Sequence, residues 1–157
     1  MKDFKEKSKN KKIKTFTVPN SLDQTKDITS NQISSFKEDD LKRAIILHTK
    51  GEIIEAEKSY ITLIKNGMRN STLYSNYGSI CQKSGRIQEA IRLYYKSIEL
   101  TPNYIDPMCN LGNLYIQIKE FEKAEYWLRK AIKINPNFNN ACFNLGHTLR
   151  ALSKHKE

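Results

Sequence analysis

The feature that most constrains this 157-residue chain is an internal repeat with a period of 34 residues. The phrase around Pro102 recurs around Pro136, and small residues recur at the same spacing. Two columns of small residues share the period, namely Ala56, Ala90 and Ala124, and Ala44, Gly78, Gly112 and Gly146. A fixed period of this length is typical of repeat architectures, in which each unit packs only on its neighbours. The chain is therefore predicted to be a stack of similar units and not one domain around a single core.

The columns divide the chain into units 37–70, 71–104 and 105–138 and a partial unit 139–157. Each full unit is predicted to form two antiparallel helices, called here helix A and helix B. Pro102 and Pro136 should end the B helices, because proline lacks an amide donor and clashes with the preceding turn. Gly51 and Gly85 suit the tight turn between the A and B helices. Gly78 and Gly112 are expected to let helix B approach closely, with the alanines of helix B opposite them.

This pattern resembles the tetratricopeptide repeat (TPR) family. Counting from the first residue of each unit, the matching columns are small residues at positions 8 and 20, Tyr60, Tyr94 and Leu128 at position 24, and Pro102 and Pro136 at position 32. The resemblance covers residues 37–157, although Met68 stands at position 32 of the first unit. It implies an all-α fold, a right-handed TPR superhelix (α-solenoid) of about seven helices.

The partial fourth unit has the pattern of an internal repeat. Leu145, Gly146 and Leu149 occupy positions that would pack on a B helix of the same unit. One hypothesis is that the chain is a fragment of a longer TPR array. The alternative is that its last A helix acts as an imperfect cap.

The formal net charge of +10 is concentrated at the N-terminus, where residues 1–36 contribute +4. Residues 1–35 are predicted to be a disordered basic tail, because a lysine run with few apolar residues cannot bury enough surface to offset its ordering entropy. A capping-box pattern over residues 35–38 should start the first helix. Such a tail could make weak contact with a polyanion, either nucleic acid or an anionic membrane, but no specific nucleic-acid motif and no membrane span are predicted.

Catalytic chemistry has little support in the sequence. The glycines follow the repeat and not a phosphate-binding spacing, and Cys81, Cys109 and Cys142 fall in three different units without metal-ligand spacing. The chain is therefore predicted to be no enzyme, with no catalytic residues, cofactor or metal site. An odd number of cysteines argues against a disulfide framework and favours a cytoplasmic location.

In the TPR family the stacked A helices line a concave groove, and this resemblance places the candidate site there. Position 6 holds Asn76, Asn110 and Asn144, an arrangement similar to the asparagine ladder of O-GlcNAc transferases. An asparagine amide offers both donors and an acceptor, so it can pair with a peptide backbone whatever the peptide's side chains. Common ancestry of the repeats would also explain the ladder. Further predicted peptide-contacting residues, which would tune specificity, are Ser79, Asn113, His147 and Lys83.

TPR domains that clamp a terminal carboxylate have Lys and Asn at positions 5 and 9 of their first unit. Leu41 and Ile45 stand there in this chain, so a carboxylate clamp is not expected. The leading prediction is a protein-interaction module with a scaffold or adaptor role, holding an extended peptide or a partner helix. The alternative is the N-terminal TPR region of a longer glycosyltransferase-, sulfotransferase- or methyltransferase-like protein, with catalysis beyond residue 157.

Overall fold

The computed structural model describes residues 30–154, with side chains from residue 37 to residue 153. This part of the chain is helical throughout, and its elements agree with the predicted all-α fold and the predicted number of helices. They are α1 (Ser30–Thr49), α2 (Ile53–Lys65), α3 (Ser71–Lys83), α4 (Ile87–Leu100), α5 (Ile105–Gln117), α6 (Phe121–Ile134) and α7 (Asn139–Lys154). None of the helices in the described range has the length and apolar character needed to cross a membrane.

Each helix packs mainly on its neighbours in sequence, as a solenoid requires. The most extensive contacts are within the units, between α1 and α2, α3 and α4, and α5 and α6, and α7 packs on α6. The buried apolar residues form one continuous cluster that extends along the stack from Leu41 in α1 to Ala141 in α7. Since each unit contributes a similar layer, the predicted stack of units is confirmed.

The close approach of helices A and B depends on the position-8 glycines, but the residues that face them differ from the prediction. A Cβ atom placed on Gly78 would lie 2.8 Å from Cε1 of Tyr94, and one on Gly112 would lie 2.5 Å from Cγ of Leu128. The expected neighbours Ala90 and Ala124 are fully buried but are not the nearest. Large side chains one helical turn further along fill the space that the missing methyl group leaves.

The A–B turns require a left-handed backbone at position 15. Gly51 and Gly85 adopt it with φ values of 83° and 75°, as their turn role predicted. In the third unit Lys119 adopts the same conformation with a φ of 63°. Because a Cβ atom disfavours this region by roughly 1–2 kcal/mol, the third turn is strained where the first two are not.

Helix α1 begins at Ser30 and not at the predicted cap at residue 35. No glycine or proline lies between residues 30 and 36 to stop the helix from extending toward the N-terminus. Helix α1 thus includes residues 30–35, which the sequence assigns to the tail. Residues 1–29, which make up most of the predicted basic tail, lie outside the described residues.

Candidate functional site

The A helices form the inner layer of the stack. Helix α3 contacts α5, and α5 contacts α7, whereas the B helices α2, α4 and α6 do not approach one another as closely. A layer whose helices lie closer together is the concave side of a curved solenoid. The inner surface formed by α3, α5 and α7 is called the groove below.

The three predicted ladder residues lie at the same register of the three groove helices. Asn76, Asn110 and Asn144 are all half-buried, so each amide is partly open to solvent and partly held by the wall. Asn76 and Asn144 lie near enough to Tyr60 and Cys109, respectively, to lower the pKa values of that hydroxyl and that thiol. The three amides thus recur at one register of the groove helices.

Tyrosines from the B helices also form hydrogen bonds with the A helices from behind, and these contacts were not predicted. The Tyr94 hydroxyl donates a hydrogen bond of 2.9 Å to Oε1 of Gln82, and the Tyr60 hydroxyl lies 3.5 Å from Nδ1 of His48. Both residues are fully buried, hydroxyl included, so they support the A helices from behind.

The sequence does indicate these tyrosine contacts, because the residues at positions 12 and 24 of each unit match in polarity. The pair is polar in the first two units, with His48 and Tyr60, then Gln82 and Tyr94. It is apolar in the third unit, where Ile116 and Leu128 stand at the same positions. A tyrosine that needs a partner for its hydroxyl when buried explains why the two positions change together.

The remaining predicted contact residues differ in accessibility. Asn113, His147 and Lys83 are exposed, whereas Ser79 is half-buried and lies near enough to Tyr94 to lower the pKa of its hydroxyl. Leu41 is buried and Ile45 is half-buried at the positions where a carboxylate clamp would need polar groups.

Burial controls the ionisation of groups along the groove wall. It raises the pKa of Tyr60 to about 12, with an opposing contribution from hydrogen bonding to Asn76. It also raises the pKa of the Cys109 thiol to about 11. Burial lowers the pKa of His48, and the positive charge of Lys83 lowers it further. These buried and half-buried groups behind the amides are therefore neutral at neutral pH.

Cys81 and Cys109 are buried and Cys142 is exposed, and all three are free thiols. Within residues 37–153, no group of three His, Cys, Asp or Glu side chains is arranged to hold a metal ion. What the groove offers chemically is a row of amides with hydroxyl and imidazole groups behind them, which is suited to hydrogen bonding.

Comparison with known proteins agrees with this architecture. Residues 69–137 match the model of the tetratricopeptide repeat. An uncharacterized protein, ycf37 of Pyropia yezoensis, is 30% identical over 78 residues, which cover 46% of this chain and 44% of that protein. The TPR repeat-containing protein MJ1428 of Methanocaldococcus jannaschii is 29% identical over 83 residues, covering 52% of this chain and 14% of that protein. The matched part thus spans less than half the length of either relative.

Solved structures show the same fold. The first TPR of Spaghetti (RPAP3), bound to an HSP90 peptide, superposes with a TM-score of 0.70 at 17% identity, covering 74% of this chain and 93% of that one. The Yersinia enterocolitica type III secretion chaperone SycD, in complex with a peptide of the translocator YopD, superposes with a TM-score of 0.68 at 20% identity. The match covers 83% of this chain and 99% of that one. Together with the repeat columns and the stacked helix pairs, these matches show that residues 69–137 are tetratricopeptide repeats and that the described part of the chain has the TPR fold.

Proposed function

We propose that the chain is a scaffold or adaptor module that binds an extended peptide in its groove through Asn76, Asn110 and Asn144. The observation that carries the proposal is the shared placement of the three amides. Each recurs after 34 residues, each is half-buried and each lies on an inner helix. The amides would bind successive stretches of peptide backbone.

Amide groups suit this task because one side chain can both donate to a carbonyl and accept from an N–H group. Peptide recognition of this kind is directed at the backbone and tolerates different side chains. Two structural neighbours support a peptide ligand, since each is described with a bound peptide. The exposed side chains of Lys83, Asn113 and His147, together with the half-buried Ser79, would then select among peptides.

The surroundings favour a neutral stretch of peptide. Leu41 and Ile45 stand in the first unit where a carboxylate clamp would have Lys and Asn, and the full units carry net charges of only +1 or +2. The three free cysteines fit a reducing compartment, so we place this activity in the cytoplasm.

The test is a peptide array probed with the parent chain and with a triple variant, Asn76→Ala, Asn110→Ala and Asn144→Ala. Loss of each hydrogen bond should weaken binding severalfold, since such a bond contributes about 0.5–1.5 kcal/mol. The matched control replaces three exposed residues on the outer helices, Gln88, Glu122 and Lys133, by alanine. Binding of the same peptides by the parent and the ladder variant would refute the proposal, provided that circular dichroism shows both variants folded.

A further inference from the structure

Three aromatic side chains of the outer helices α4 and α6 lie together at the surface. Tyr95 is 43% exposed and Tyr126 is 59% exposed. The ring of Trp127 contacts both, with ring centroids 5.4 Å from Tyr95 and 5.2 Å from Tyr126. Tyrosine and tryptophan are enriched in binding interfaces, and a contiguous exposed apolar patch is typical of an interaction site.

The exposure of this group is a property of the internal units. Tyr95 belongs to the second unit, and Tyr126 and Trp127 belong to the third. Arg92 has the same position in α4 as Tyr126 has in α6, and it is exposed although the third unit packs on the second. This register is therefore open to solvent within the array, and the exposure of Tyr126 does not depend on where the array ends.

A shallow cavity of about 480 Å³ lies between these helices and is called the aromatic cavity. It is lined by Tyr95, Glu122, Lys123, Tyr126 and Trp127.

The charges around the aromatic cavity balance. The ammonium group of Lys123 pairs with Glu120 at 3.1 Å, and that of Lys130 lies 5.0 Å from the ring centroid of Trp127. Glu122 stands at the rim and opposes an anion, whereas Lys130 already occupies the cation–π position on Trp127 and opposes a second cation. Electrostatic complementarity therefore favours a ligand that is neutral where it enters the cavity.

The floor of the aromatic cavity provides a hydrogen-bond donor. Within residues 37–153, no buried polar side-chain atom lacks a hydrogen-bond partner. The indole N–H of Trp127 has no such partner in that range, so it is accessible to solvent although the residue is only 7% exposed. An indole N–H can donate but cannot accept. The ligand must therefore bring an acceptor to it.

A polyproline II segment meets both needs. Its backbone has no internal hydrogen bonds, so its carbonyl oxygens are free to accept. Its proline rings are neutral and apolar, and segments of this kind bind in grooves lined by aromatic side chains. An α-helix would be a poorer ligand, because most of its carbonyl groups already accept hydrogen bonds within the helix.

We propose that the aromatic cavity binds a proline-rich segment of a partner protein in the polyproline II conformation. Proline rings pack against Tyr95 and Tyr126, and a carbonyl oxygen of the segment accepts a hydrogen bond from the indole N–H of Trp127. The site lies on the outer helices, whereas the asparagine ladder lies on the inner ones, and neither depends on the other.

The fluorescence of Trp127 reports directly on this site, because it is the only tryptophan in the chain. The probe is decaproline with blocked ends, which is neutral and adopts the polyproline II conformation. A glycine–serine peptide of equal length is the reference. With the full chain, we expect decaproline to shift the emission of Trp127 to shorter wavelength in a saturable manner with little dependence on salt. The reference peptide should cause no shift.

Matched variants test the contacts. Tyr126→Ala should weaken binding of decaproline about fivefold or more, because exposed aromatic anchors contribute most to such interfaces. Its exposure means that the substitution leaves the core intact, which circular dichroism should show. Arg92→Ala, which changes the same position of α4, should bind as the parent does. The triple asparagine variant should also bind as the parent does, which separates the aromatic cavity from the groove.

Several results would overturn the proposal. These are no saturable shift with decaproline, an equal shift with the glycine–serine peptide, or equal affinity of the parent and Tyr126→Ala. Loss of binding in the triple asparagine variant would place decaproline in the groove instead. A saturable shift with oligothymidylate but not with decaproline would assign the aromatic cavity to single-stranded nucleic acid, against the proposal.

Discussion

The hydroxyl of Tyr94 donates a 2.9 Å hydrogen bond to Oε1 of Gln82. The tyrosine belongs to the outer helix α4 and its ring is fully buried, whereas Gln82 is half-buried near the end of the inner helix α3. The bond therefore links the core of the unit to the wall of the groove. The position of the wall therefore depends on the packing behind it. The contribution of this hydrogen bond can be measured as a change in the free energy of unfolding.

Replacing Tyr94 by phenylalanine should lower the free energy of unfolding by about 1 kcal/mol, the usual net contribution of one hydrogen bond. The measurement is urea denaturation followed by circular dichroism. The Gln82→Leu variant serves as the second arm of a double-mutant cycle, and the double variant should be more stable than the sum of the two losses predicts. Strict additivity would contradict a direct interaction.

Alanine at the position-8 glycines should have opposite effects in different units. In Gly112→Ala the new methyl group would lie 2.5 Å from Cγ of the fully buried Leu128. Overpacking of this kind costs about 1–3 kcal/mol, more than the helix propensity returns. In Gly146→Ala nothing among the described residues opposes the methyl group, so stability should rise by about 0.5–1 kcal/mol. Denaturation midpoints that move in the same direction would contradict the proposed packing.

The strained turn at Lys119 offers a second stability test. Lys119→Gly should relieve a left-handed backbone of φ 63° and stabilise the chain by about 1 kcal/mol. The matched control is Gly85→Ala at the same position of the second unit, which should destabilise by a similar amount. A thermal melt in which Lys119→Gly is no more stable than the parent would show that the turn is not strained.

The ionisation of His48 predicts a pH dependence of stability. Its pKa is lowered from 6.5 in the folded chain by burial and then by Lys83. The folded state therefore favours neutral imidazole. The stabilisation that comes from neutral His48 is fully present above the pKa that His48 has in the unfolded chain. It is lost as the pH falls through the lower pKa that His48 has in the folded chain.

We expect unfolding free energies to decline from about pH 7 to about pH 5, the range in which histidine titrates, and the decline to be smaller in His48→Gln. In an NMR titration, Lys83→Gln should raise the pKa of His48 toward 6.5. An unchanged pKa would exclude the charge effect of Lys83.

The repeat columns were enough to predict the units, the helix pairs and the register of Asn76, Asn110 and Asn144, because the 34-residue period defines all three. They did not identify Tyr94 as the neighbour of Gly78, since periodicity alone does not show which turn of helix B lies over the glycine. The contact of Tyr94 depends on how one helix lies over another, which a single sequence does not specify. Lys119 was also missed, because lysine itself gives no indication of a left-handed turn, although it shares the 34-residue spacing of Gly51 and Gly85.

The central claim is that the asparagine ladder binds the peptide backbone. The most direct test takes a peptide selected on the array and replaces one backbone amide at a time by an ester, which removes an N–H donor. Calorimetric affinities are then compared for the parent and for Asn110→Ala. We predict one position at which the ester weakens binding to the parent severalfold, about 0.5–1.5 kcal/mol, with little effect on Asn110→Ala. Equal losses with both proteins at every position would contradict backbone recognition by Asn110.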